Sequence, residues 1–311
     1  MQLPTSPLPD SPQPLIFEHQ SCAFEKLLSA GRVCFSPLRE SLPIQPRTNS
    51  LVVGPTGTGK TFLANAVAAS LGVPCKHLSV AEWMLLGTSS RGATRTWNSI
   101  FEFLRQCRNG RGAMIFLDEL DKLTGTSDWC QHLRVEVFRL LDRAVPPDLA
   151  NSDDDKHPAA LITSVAGFLR HKTFLVAAGA FQHLWDNVGH RVGGFASEPE
   201  REIPSAAQLA GHLARELVNR FRSDIVLLPD LAARDYENIL LAAATKMPEP
   251  MQERFLSLGT ERIAAAHANR QGVRFLEELV ADVLGEEDAA QRVLPPSLWK
   301  THPYITRGPG T

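Results

Sequence analysis

Five cysteines are present, and no two of them form a Cys-x-x-Cys pair. Cys22, Cys34, Cys75, Cys107 and Cys130 are scattered singly, which argues against a structural zinc site or a disulfide framework and for reduced thiols. No apolar run is long enough to cross a bilayer, and the first residues have neither the basic patch nor the apolar stretch of a secretory leader. The expectation is a cytoplasmic protein without a membrane partner. Charge is nearly balanced, with a formal net value of -2, so there is no global attraction to nucleic acid or to an anionic surface, although local basic patches remain open. No internal repeat is visible. What is present is a chain of 311 residues, 43% hydrophobic, enough for a substantial core divided between one medium and one small domain.

The most informative stretch is "LVVGPTGTGKTF", residues 51–62. Leu51, Val52 and Val53 form a short β-branched run of the kind found in buried parallel strands. Gly54-Pro55-Thr56-Gly57-Thr58-Gly59-Lys60-Thr61 is a complete G-x-x-x-x-G-K-T phosphate loop. Its glycines allow successive N–H groups to turn inward as an anion nest. Lys60 is placed to reach the β- and γ-phosphates of ATP, and the Thr61 hydroxyl to ligate Mg²⁺. A helix rich in Ala and Leu follows to Leu71, its positive end facing the phosphates and Phe62 in its first turn.

A second stretch, "AMIFLDELDKL", carries the acids. Ala113–Leu117 reads as a buried strand ending in Asp118 and Glu119, and in open α/β sheets chemistry gathers at the carboxyl ends of strands. Asp118 is the expected Mg²⁺ ligand, directly or through water. Glu119 is the expected general base that polarises the attacking water.

Around these motifs the chain divides into four parts. Residues 1–48 read as a proline-rich arm within which "LIFEHQSCAFEKLL" forms either a docked helix or a loose tail. Residues 49–229 read as a nucleotide-binding α/β domain with a parallel sheet flanked by helices. Its further strands are "CKHLSV", Thr173–Ala178 and "IVLL", the last closed by Pro229. Trp97, Ile100, Phe101, Leu104 and Cys107 share one helical face, with Arg95, Arg105 and Arg108 mainly off it; Leu133, Val137, Leu140 and Leu141 share another. "PPDLANSDDDKHP" is a loop insertion. Residues 230–290 show only helical periodicity and read as a small all-helical lid; 291–311 read as a tail, with Trp299 and Tyr304 available to pin it.

The order phosphate loop, acidic strand end, helical lid resembles the AAA+ ATPases. "AAGAF" at 177–181, "HRVGGF" at 190–195, "LVNRF" at 217–221 and "GVRFLEEL" at 272–279 make it similar to the ClpX and HslU unfoldase branch. The resemblance implies Mg²⁺-dependent ATP hydrolysis in a homo-oligomeric ring, usually a hexamer. It places Arg220, with Arg222 as an alternative, at the arginine finger that reaches a neighbouring subunit's γ-phosphate. It places Arg274 at the second sensor, which touches nucleotide from the small domain. The polar first sensor is missing from Ala177-Ala178-Gly179. The peptidase-docking loop is cut to "GGFASEP", so docking on a proteolytic chamber is not expected. By position, Leu85-Leu86-Gly87 replaces the loop that grips a threaded chain, with Trp83 just before it and Trp129 as a second site. Trp83 and Met84 are equally readable as core. A protein client is the leading expectation. A nucleic-acid partner, met by the arginines between Arg91 and Arg111, and a nucleotide-switched scaffold stay open.

Overall fold

A computed structural model describes residues 14–87, 92–125, 128–146, 158–182, 185, 208 and 214–293. The chain divides after Asp230 into two compact units.

The first unit is built on five parallel strands: β1 (Ser50–Val53), β2 (Cys75–Ser79), β3 (Ala113–Asp118), β4 (Thr173–Gly179) and β5 (Val226–Leu227). Their order across the sheet is β2-β3-β4-β1-β5. The helices are α1 (Ser21–Cys34), α2 (Lys60–Leu71), α3 (Val80–Gly87), α4 (Gly92–Cys107), α5 (Asp128–Leu141), α6 (Ala159–Lys172) and a single turn, α7 (Arg215–Val218).

Why the central strands read as continuous apolar runs is clear from the two cores. Alternate residues serve opposite faces, and both faces are covered. Ala113, Ile115 and Leu117 of β3, with Leu175 and Ala177 of β4, pack with Trp83, Trp97, Phe101, Leu133, Val137 and Phe168 from α3 to α6. Met114, Phe116, Phe174, Val176 and Ala178 pack instead with Phe24, Leu27, Leu63 and Val67 from α1 and α2. The result is a three-layer α/β/α unit, as expected from the sequence. The faces foreseen on α4 and α5 are the buried ones: Trp97, Ile100, Phe101 and Leu104, then Leu133, Val137, Leu140 and Leu141.

Two readings left open by the sequence are decided, and one element is new. Residues 17–35, read as part of an arm, belong to the body: Phe17, Ala23, Phe24, Leu27, Leu28 and Cys34 are all buried. The apolar spacing within "CAFEKLL" supplies a helix face, and the prolines flank it without entering it. The expected grip region is the helix α3, in which Trp83 is buried and stands edge-on to Trp97 at 6.4 Å. Trp83 therefore belongs to the core, while Leu85 is 74% exposed. Finally, α6 fills a stretch for which no element was foreseen, its Val165, Phe168 and Leu169 turned inward. The side chains of Met84, Leu86 and Trp129, the "GGFASEP" loop and the tail from residue 294 lie outside the described residues.

The second unit holds α8 (Ala233–Ala244), α9 (Glu249–Ala268) and α10 (Phe275–Val293). Buried Tyr236 is its centre, packing against Phe275 and His267 while its hydroxyl accepts the Gly272 N–H at 2.9 Å. Among the described residues this unit has no strand, and no helix of either unit is long and apolar enough to cross a membrane.

Candidate functional site

The phosphate loop leaves β1 at Val53 and enters α2 at Lys60. Two backbone bonds clamp its start: Gly54 donates to Gly179 O at 3.3 Å, and Leu228 donates to Val53 O at 2.8 Å. A Cβ at Gly54 would stand 2.6 Å from the Leu228 carbonyl, so only glycine fits between β1 and β5 here. Gly57 and Gly59 have φ of 88° and 80°, the left-handed region in which a side chain is strained. Those angles curl the loop so that α2 begins with Gly59 as N-cap and no side chain on the cap. The first N–H groups of a helix have no intrahelical partner, and the dipole adds positive potential. An uncapped N-terminus behind a glycine curl is chemically a seat for an anion.

Lys60 lies along the loop, its Nζ donating to Gly54 O at 2.8 Å and Pro55 O at 2.9 Å. The Thr61 hydroxyl donates to Asp118 Oδ2 at 3.1 Å, bringing together the two groups assigned to Mg²⁺. A hydroxyl and a carboxylate converging beside the anion seat are hard oxygen donors of the kind Mg²⁺ takes, and the fit is good. Asp118 Oδ1 also accepts the Glu119 N–H at 2.8 Å. Glu119 has φ of 59°, an unusual conformation for a residue with a Cβ, costing on the order of 1 kcal/mol. That turn aims its carboxylate at β2, where the Ser79 hydroxyl donates to Oε2 at 2.5 Å.

Five contributors to this end of the sheet were not foreseen. Gln20 is 1% exposed and its Nε2 donates to Thr58 O at 3.0 Å and Gly59 O at 3.2 Å. His19 Nε2 donates to the same Thr58 carbonyl at 3.2 Å. Phe17 stacks on Phe62 at 5.0 Å, fastening the segment before α1 to the first turn of α2. Nothing local in "FEHQ" announces this, because the partner lies 38 residues away. Ser79 was legible in principle, as a polar residue at the carboxyl end of a strand. Asp121 is the fifth: its Oδ1 accepts the Ala180 N–H at 3.1 Å, placing a carboxylate at the end of β4 where no polar side chain exists.

The remaining assigned residues lie elsewhere. Asn49, just before β1, donates from Nδ2 to Arg220 O at 3.0 Å and accepts the Arg222 N–H at its own carbonyl at 2.9 Å. Both arginines are thus at the amino end of the sheet, opposite the phosphate loop that follows β1. The Arg220 guanidinium bonds Asp142 Oδ2 at 2.9 and 3.1 Å and Glu216 O at 2.7 Å, and it lies 4.1 Å from the centre of the Phe138 ring. Arg222 is half-buried. Arg274 is exposed on a short 3-10 turn, Gly272–Arg274, in the second unit. Of the arginines considered for nucleic acid, Arg105 is paired with Glu102 at 2.6 Å.

Residues 50–182 match the family described as "ATPase family associated with various cellular activities (AAA)". The chain is 28% identical over 224 residues to the chaperone protein ClpB of Lactococcus lactis subsp. cremoris, covering 68% of this chain and 23% of that protein. It is 48% identical over 75 residues to the ATP-dependent zinc metalloprotease FtsH of Methylibium petroleiphilum, 24% of this chain and 11% of that protein. A third relative, the ATP-dependent zinc metalloprotease FtsH 3 of Sphaerobacter thermophilus, is 26% identical over 269 residues, 78% of this chain and 50% of its own. The matches therefore span half or less of each of these relatives. With the phosphate loop, the acid-tipped β3 and the five-stranded parallel sheet, they show an AAA domain over residues 50–182 of a chain that is similar to parts of ClpB and FtsH.

Proposed function

We propose that this protein hydrolyses ATP and uses the reaction to remodel or unfold a protein partner from within a homo-oligomeric ring. The observation that carries the reading is the uncapped α2 N-terminus behind the glycine curl, with the Thr61–Asp118 pair beside it and Glu119 held by Ser79. Loop N–H groups and Lys60 bind the β- and γ-phosphates. Thr61 and Asp118 are the protein's ligands for Mg²⁺, which when bound offsets the phosphate charge. Glu119 orients the attacking water and accepts its proton as the bond from the γ-phosphorus to the bridging oxygen breaks. Ser79 keeps that carboxylate aimed.

Arg220, at the opposite end of β1 from the loop, acts on a neighbouring subunit's nucleotide, and the ring is hexameric as in the ClpX and HslU branch. Arg274 carries the nucleotide state into the helical unit. The chaperone and protease names of the relatives favour a protein client over nucleic acid. The ring works in the cytoplasm without a docked peptidase.

The test is a trap. Glu119→Gln is expected to retain ATP and to hold ring and client together, so the variant is incubated with lysate and ATP and its co-eluting material identified. A defined protein captured with ATP, and lost in Lys60→Ala, supports the reading. Nuclease-sensitive recovery of DNA or RNA without a protein client replaces it with a nucleic-acid-associated ATPase. Slow turnover indifferent to any polymer replaces it with a nucleotide-switched scaffold.

A further inference from the structure

At the amino end of the sheet, α6 ends at Lys172 and β4 starts at Thr173 with nothing between them. The last carbonyls of a helix are its negative pole. Here they are occupied. Thr173 Oγ1 donates to Phe168 O at 3.1 Å, Arg143 Nη1 to Leu169 O at 3.1 Å and Arg170 O at 3.3 Å, and Arg39 Nη1 to His171 O at 3.2 Å. Arg39 is 4% exposed, and Arg143 is half-buried overall. Among the described residues, the hydrogen-bond partners of both guanidiniums are carbonyls, Thr48, Asn49 and Cys34, and none is a carboxylate. Burial holds the Arg143 guanidinium below its ordinary range, with the charge of neighbouring Arg39 acting in the same direction.

Beside this pair lies an open surface pocket of about 440 Å³, lined by Arg108, Ser164, Gly167, Phe168, His171 and Lys172, of which Ser164, Gly167 and Lys172 are exposed. It falls within the size range of small-molecule sites, about 300–1,000 Å³. Its lining holds a guanidinium, an ammonium, a hydroxyl and an imidazole and, among the described residues, no carboxylate. His171 Nδ1 is buried without a hydrogen-bond partner among the described residues. A Cβ on Gly167 would meet nothing within 4 Å, so the space above the helix is open. Donors outnumber acceptors, which excludes a metal ion and suits a group with several anionic oxygens.

The geometry points to a second anion site at this end of the sheet, in which Arg108 and Lys172, backed by the positive charge of Arg39 and Arg143, bind the phosphate of a small molecule. The ligand is either inorganic phosphate or a phosphorylated organic compound. The site is separate from the phosphate loop, which follows the carboxyl end of β1, and it stands whether or not the protein hydrolyses ATP.

Calorimetric titration of the full chain with inorganic phosphate and with phenyl phosphate tests it, with Lys60→Ala included so that the phosphate loop is disabled. Saturable binding that persists in Lys60→Ala is expected. Each of Arg108→Ala and Lys172→Ala should weaken it by about tenfold. Gly167→Trp fills the cavity without removing charge and should abolish binding while the circular dichroism stays native. Equal affinity for both probes identifies free phosphate as the ligand; tighter binding of phenyl phosphate identifies a phosphorylated organic molecule. No saturable heat, binding lost in Lys60→Ala, or binding indifferent to all three cavity variants overturns the site.

Discussion

The two ends of the parallel sheet carry opposite chemistry. At the carboxyl end the loop after β1 turns N–H groups inward, and Asp118, Glu119 and Asp121 cluster with Ser79 and Thr61. At the amino end the donors are guanidiniums: Arg39, Arg143 and Arg220 all bond carbonyl oxygens there, and Arg143 reaches Thr48 and Asn49 as well. The cause is topological. In a parallel sheet the covering helices run back against the strands, so helix N-termini gather at one end and helix C-termini at the other. One end has N–H groups in excess and accepts anions. The other has carbonyls in excess and, unless donors arrive, unsatisfied acceptors. Arg143 shows how far the chain goes to supply them: with φ of 60° its guanidinium bonds the Leu169 and Arg170 carbonyls of α6 and the Thr173 carbonyl at the start of β4.

Breaking each end should therefore fail differently. The largest effect is expected at the carboxyl end: Lys60→Ala should lower ATP turnover by about a thousandfold or more, with urea stability almost unchanged. A steady-state phosphate-release assay beside a denaturation curve separates the two. At the amino end the order reverses. Arg143→Met removes the donors while keeping the stem, leaving several acceptors unmet, and should cost about 3 kcal/mol in urea unfolding. Turnover per folded molecule should change little.

A smaller effect sharpens the account of the loop. Gln20→Ala should weaken nucleotide binding by about tenfold, because Gly59 O loses its side-chain donor and Thr58 O keeps only His19. A fluorescent-nucleotide titration reads this. Unchanged affinity would mean that the glycine curl alone positions the N–H groups. The smallest effect concerns Cys75, the first residue of β2, whose thiol burial pushes up to about 11. The raised value keeps it protonated at all lower pH, so at pH 8 its thiolate fraction is on the order of 0.001. Iodoacetamide at that pH should label exposed Cys22 and spare Cys75, as peptide mass mapping would show.

How legible all this was depends on the range of each signal. The strand bodies at 51–53, 113–117 and 173–178 could be read because burial on both faces leaves an unbroken apolar run, and the loop after β1 because positive φ and close approach demand glycine. The helix α6 escaped because Ile162, Thr163, Val165 and Gly167 weaken its local propensity; its inward face and β4 hold it. Trp83 had two readings until Trp97 was found against it.

Sequence alone determined the phosphate loop, the acid-tipped strand after it, the parallel α/β class and the helical character of residues 233–293. Each rests on residues adjacent in the chain, where spacing and backbone preference suffice. Tertiary structure decided that residues 17–35 belong to the body, that Gln20 and His19 grip Thr58, that Ser79 aims Glu119, and that Arg39 and Arg143 meet beneath the end of α6. Those partners are 26 to 132 residues apart, and no local pattern encodes a hydrogen bond whose geometry exists only after the sheet has brought distant segments together.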